Sequence, residues 1–236
     1  MKFLYGPTRE GIFVGVNEKS PLELDKVREL FSRTGVWYMD LDDCLVKSPA
    51  KEMARRAVGT NHTNLDYLQW CISTAFELMV HGETAESRTW LEYVNNFLKD
   101  DMFEEALYRF AEDYAESSLF PGVEDLVAFA NGTRKVIVTR NVPAIAEVYA
   151  QKFGTGFVAN AWNKKEVVRK DYRGGSGFVS VMGNSGEDVE MLEPFALNSR
   201  ALFYVLKSHR QRLLEISDPV VYTSRDRRGL VEILSK

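Results

Sequence analysis

From residue 123 onward the chain alternates short apolar runs with helical stretches, and this limits its fold more than any other feature. Residues 123–130 read as a short helix and KVIV, ending at Thr139, as a strand. Residues 143–153 carry Ile145, Val148 and Tyr149 on one helical face. FVAN is a further strand, 164–172 a charged helix, and FVSVM, ALFYVL and VVY three more strands before a last helix over 227–234. Strands separated by helices predict an α/β protein with a mostly parallel sheet covered on both faces.

Upstream, KFLY and IFVGV flank a turn-rich GPTREG and suggest a hairpin. Ser20-Pro21-Leu22-Glu23 has the pattern of a capped helix start. Leu24, Val27 and Phe31 then recur at helical spacing until Gly35. VWYM follows as a buried strand. Residues 50–118 carry helical signals and no convincing strand, with one apolar stripe at Leu91, Val94, Phe97 and Leu98 and another at Phe103, Ala106, Leu107, Phe110 and Tyr114. The expected division is a core of residues 1–49 and 119–236, in which 1–35 form an extension packing on it, and an inserted all-helical domain of residues 50–118.

The strand VWYM runs straight into Asp40-Leu41-Asp42-Asp43. Like charges this close repel, and burying them is costly, so a positive partner or a reaction is expected there. KVIV ends in Thr139-Arg140-Asn141, and FVSVM in Gly183-Asn184-Ser185-Gly186-Glu187-Asp188. All three polar groups sit at carboxyl ends of strands, where open α/β sheets place their sites. Between the last two lies Lys164-Lys165, near a helix start.

A net charge of −4 gives no general attraction to nucleic acid or an anionic membrane. No apolar run approaches the roughly 18 residues of a membrane span, and no N-terminal signal pattern is visible. Cys44 lies in the acidic motif and Cys71 in a helical stretch, which reads as reduced thiols in a cytoplasm. His62, His81 and His209 are scattered and read as surface or packing residues.

Taken together, the order and spacing of these motifs from about residue 36 to 234 resemble those of the haloacid dehalogenase superfamily of phosphatases and phosphotransferases. Asp40-Leu41-Asp42 matches its first motif, Thr139 its second, a lysine (Lys164, with Lys165 and Lys170 as alternatives) its third, and the segment Gly183–Asp188 its fourth. The resemblance implies a Rossmann-like core with a helical cap and a magnesium-dependent hydrolase acting on a small phosphorylated metabolite. Asp40 would be the nucleophile that becomes an aspartyl phosphate, and Asp42 the general acid and base. Thr139 and the amide of Arg140 would bind phosphoryl oxygens, and Lys164 would neutralise charge. Asp40, Asp42 through its carbonyl, Asn184 and Asp188 would hold Mg2+. Asn184 departs from the family's aspartate and brings no charge. That keeps two alternatives in view, a catalytically weak binding or regulatory protein and a phosphomutase. Asp42 argues against carbon–halogen cleavage, since dehalogenase members lack that second aspartate.

Overall fold

The computed structural model describes residues 2–5, 14–16, 24–49, 52, 101–172, 177–207, 212 and 214–235. The elements are β1 (Lys2–Tyr5), β2 (Val14–Val16), α1 (Leu24–Ser32), β3 (Thr34–Met39), α2 (Asp101–Ser118), α3 (Val123–Phe129), β4 (Arg134–Val138) and α4 (Pro143–Phe153). Then follow β5 (Gly156–Val158), α5 (Lys164–Asp171), β6 (Phe178–Gly183), α6 (Gly186–Glu190), a 3-10 turn (Leu197–Ser199), β7 (Arg200–Leu206), β8 (Val220–Ser224) and α7 (Arg228–Leu234).

One eight-stranded sheet has the order β1-β2-β8-β7-β6-β3-β4-β5. The six strands from β8 to β5 are all parallel. The hairpin β1–β2 adds antiparallel to the free edge of β8, with Gly15 opposite Tyr222. From β3 the chain steps to β4 and β5 on one side, then crosses back to β6 on the other. The strand order therefore reverses at β3, and the crevice at its carboxyl end is the place where such sheets hold ligands.

The strands alternate their side chains between two covered faces, which is why they read as continuous apolar runs. Trp37, Met39, Ile137, Met182 and Phe203 point toward α1, α2, α3, α4 and α7. Tyr38, Val136, Val138, Val181, Leu202 and Tyr222 point to the other face, covered by Val168 of α5 and by Met191, Leu192 and Phe195. Phe31 and Phe203 flank Trp37 with ring centroids 5.1 and 5.3 Å away, in the tilted and edge-on geometries aromatic pairs favour.

Three local details differ from the sequence expectation. Helix α1 ends at Ser32, so Gly35 lies inside β3 rather than stopping the helix. Strand β5 ends at Val158 because Asn160, at a left-handed φ of 51°, turns the chain back. The amides of Asn160 and Ala161 then bond the carbonyls of Asn141 and Thr139. Third, α2 is anchored in the core: Leu107, Ala111 and Ala115 pack in the same cluster as Trp37. The capped helix start at Ser20–Glu23, the stripe at Leu91–Leu98, Cys71, the three histidines and most of the expected helical insertion lie outside the described residues.

The chain leaves the acidic turn at Val46–Lys47 and comes back to it at Ser118–Phe120, at the end of α2, and these two points are joined. The Lys47 amide donates to the Ser118 carbonyl at 2.8 Å, and the Phe120 amide to the Leu45 carbonyl at 3.3 Å. Among the described residues no helix is long and apolar enough to cross a membrane.

Gly122, at φ 76°, precedes α3 and meets the start of α7: a Cβ there would stand 2.7 Å from the Arg228 amide nitrogen. Gly132, at φ 84°, has open space around it. Gly122→Ala is expected to cost about 3 kcal/mol, from a left-handed backbone plus a steric clash, and Gly132→Ala about 1 kcal/mol from the backbone alone. Urea unfolding of both variants checks the difference.

Candidate active site

The carboxyl end of β3 continues its ladder for one residue, with the Asp40 amide donating to the Met182 carbonyl at 2.8 Å. The chain then turns tightly: the Leu41 carbonyl accepts from the amides of Cys44, Leu45 and Val46. The turn requires a left-handed residue, and Asp43 supplies it at φ 56°, a conformation aspartate tolerates better than most. Asp43 is further held by Arg225 at 2.9 Å, and the Cys44 carbonyl by the buried Arg227 at 2.5 Å. Asp43 thus shapes and anchors the loop.

Asp40 is 6% exposed, and Lys164 reaches it from the first turn of α5. The lysine Nζ donates to Asp40 Oδ1 at 2.6 Å and to Asp188 Oδ1 at 2.6 Å. Lys165 points away and pairs with Glu193 on the surface, and Lys170 is exposed. Of the three candidate lysines, Lys164 alone enters the site. Its helix is capped by Asn163, whose Oδ1 accepts from the Glu166 amide at 3.0 Å.

Asp188 closes the loop after β6. Its Oδ2 accepts from the amides of Asn184 and Ser185 at 2.8 and 2.9 Å and from Ser185 Oγ at 2.8 Å. Ser185 in turn caps α6 in a reciprocal capping box. Gly183 is required there, since a Cβ would fall 2.1 Å from the Asp188 Cβ. With one oxygen on the lysine and the other saturated, Asp188 is an anchor for Lys164.

Asp42 faces the same crevice. Its Oδ1 accepts from Ser48 Oγ at 2.8 Å, and its Oδ2 from Thr139 Oγ1 at 3.3 Å and from the Asn141 side-chain amide. Its backbone carbonyl accepts from Asn184 Nδ2 at 2.8 Å. Thr139, fully buried, also receives the Asn141 amide at 3.1 Å. Arg140 turns its side chain into the site, where it pairs with Glu187. Ser48, Asn141, Ser185 and Glu187 were given no role by sequence reasoning. Asn141 and Ser185 stood at strand ends beside motif residues, a signal that could have found them. Ser48 carried none.

Burial raises the carboxyl of Asp40 above the ordinary range; Lys164 pulls it back, and Asp188 and Asp42 push it further up. Burial likewise raises Asp42, against hydrogen bonds from Ser48 and Thr139. Asp188 feels the same burial, but Lys164 and the donors from Ser185 and Asn184 outweigh it and hold its carboxyl low. Burial works against the charge of Lys164, and Asp188 and Asp40 more than restore it. The arrangement is an ionised lysine–aspartate pair beside two carboxyls that resist ionisation.

Four carboxyl groups (Asp40, Asp42, Asp188, Glu187) gather beside two cations (Lys164, Arg140), so ionising all four would leave the crevice short of positive charge. The metal-type donors gathered here are oxygens: Asp40 and Asp188 on either side of Lys164, the Asp42 carbonyl and the side-chain oxygen of Asn184 beside it. That set suits a hard divalent cation such as Mg2+. Among the described residues no three His, Cys, Asp or Glu side chains converge as a metal cluster.

No protein-family model and no curated protein matches the sequence. Solved structures do match the fold. The chain is similar to cytosolic 5'-nucleotidase IIIB, crystallised bound to cytidine, at 11% identity over 93% of each chain, with a TM-score of 0.55. It is also similar to DsGPDH of Dunaliella salina, at 15% identity and a TM-score of 0.54, over 79% of this chain and 34% of that one. It thus spans about a third of the length of the latter protein.

Replacing Lys164 by methionine strands two buried carboxylates and is expected to cost about 3–5 kcal/mol in urea unfolding. Lys165→Met, on the surface next door, leaves the midpoint where it is. Strand order, the reversal at β3 and the motif residues gathered at that reversal together give the chain the haloacid dehalogenase-like fold.

Proposed function

We propose that the chain is a magnesium-dependent phosphomonoester hydrolase that works through an aspartyl phosphate. The observation that carries this reading is the pair Asp40 and Asp42 on one turn, the first bridged by Lys164 to Asp188 and the second bonded to Thr139. Nucleophilic displacement at phosphorus needs an acid and a nucleophile side by side, with cations and N–H donors around the transferred oxygens.

In this reading Asp40 attacks phosphorus while the bond to the leaving oxygen breaks. Asp42, whose environment favours its protonated form, gives its proton to that oxygen. Asp42 then takes a proton from a water that hydrolyses the aspartyl phosphate, freeing inorganic phosphate and restoring Asp40. Lys164 holds Asp40 in place and offsets its charge. Thr139 orients Asp42 and, with nearby amides, is placed to meet phosphoryl oxygens. Asp40, the Asp42 carbonyl, Asn184 and Asp188 would hold Mg2+, which supplies charge neutralisation for the phosphoryl group. Ser48, just before the expected helical insertion of residues 50–118, bonds Asp42. That insertion is proposed to act as a cap that sets specificity toward a small phosphorylated substrate.

Asp40→Asn is expected to abolish phosphate release from a phosphomonoester panel, and EDTA to do so reversibly. Asp42→Asn lowers kcat by at least about 100-fold, the scale of a lost general acid. Release that survives in Asp40→Asn would end the aspartyl-phosphate reading. Asn184→Asp adds a charged ligand and is expected to tighten Mg2+ binding by about tenfold, read by calorimetric titration. Unchanged affinity would remove Asn184 from the ligand set.

A further inference from the structure

We propose that Arg140 and Glu187 form a second subsite, which recognises an acidic group on the substrate in addition to the transferred phosphate. The inference rests on the phosphohydrolase reading and names the substrate class for it: a phosphomonoester that also bears a carboxylate or a second phosphate.

Arg140 follows Thr139 directly, yet its side chain does not run to solvent and is only 17% exposed. It lies close enough to Asp188 and Asp40 to feel their charge. One arm of its guanidinium, Nη2, is tied to Glu187, which is 34% exposed and stands nearer the rim. The Nε–H is buried and has no hydrogen-bond partner among the described residues. A guanidinium is a planar fork that takes carboxylates and phosphates two-pronged. Here one prong holds an internal carboxylate and another buried donor waits for an acceptor. Glu187 shows that an acid group is accepted at this fork, and its partial exposure gives it room to swing aside. An incoming acid would take its place and fill the orphaned donor as well. A neutral substrate would leave both features unused. In the proposed reaction the phosphoryl group meets Thr139 and the loop amides, so the fork is available to the leaving-group side.

The test is calorimetric binding in Mg2+ of a non-hydrolysable pair of similar size, 3-phosphonopropionate and n-propylphosphonate. Wild type is expected to favour the carboxylate-bearing member by at least about tenfold, the scale of a charge-assisted two-pronged bond. In Arg140→Gln that preference falls to near one, and in Glu187→Gln, with the competitor removed, it rises. Ethane-1,2-bisphosphonate binding tighter than 3-phosphonopropionate marks the second group as a phosphate; the reverse order marks a carboxylate. Equal affinities in wild type overturn the proposal, as does a preference that either variant leaves unchanged, or loss of both ligands together in Arg140→Gln. Turnover lost in Asp40→Asn together with equal affinities would keep the hydrolase and remove the subsite. Preference without turnover of any ester would do the opposite.

Discussion

The buried ammonium of Lys164 is the contact on which the rest of the site depends. It joins a residue that ends β3 to one that opens α6, across the point where the strand order reverses. Without it, Asp40 and Asp188 would be like charges in a dry crevice, a state folding does not tolerate. With it, two loops from opposite sides of the reversal are locked in register. The Asn184 and Ser185 amides then settle on the second oxygen of Asp188, and Gly183 must lack a side chain to let that happen. Geometry at the site is therefore set by a charge pair, while the sheet beneath it is set by packing.

A second grip acts from below. Arg225 and Arg227, leaving β8, hold Asp43 and the Cys44 carbonyl. Arg227 is fully buried, and burial lowers its guanidinium to about 10. Strand β8 lies three places from β3 in the sheet, so distant parts of the order converge on one turn. The turn that carries Asp40 and Asp42 is thus restrained by the sheet at its start, by arginines at its middle and by the chain returning at Ser118 at its end.

Much of this was written in the apolar runs. Asp40, Thr139 and Asn184 were legible because each stands where such a run stops, and strand ends in a parallel sheet share a side. The choice between Lys164 and Lys165 was not, because neighbours on a helix point about 100° apart and only the helix's placement decides which faces inward. Asn141 and Ser48 contact Asp42 through turns whose path no local pattern specifies. In the charged segment Arg225-Asp226-Arg227-Arg228 no local pattern tells the residues apart, yet Arg227 is sealed inside while Arg228 is 62% exposed. The two loop amides that bond Asp188 Oδ2 become visible only once the turn is built.

The hydrogen bonds that join Lys47 to Ser118 and Leu45 to Phe120 make the two ends of the intervening segment neighbours. Closing a loop between ends that the core already holds together costs little more as the loop lengthens, about 0.6 kcal/mol per doubling. The core therefore offers a splice point: the stretch between residues 53 and 100 can lengthen, shorten or be exchanged over evolutionary time at small cost to folding, while α2, whose Leu107, Ala111 and Ala115 pack in the core, and the acidic turn beside it stay as they are.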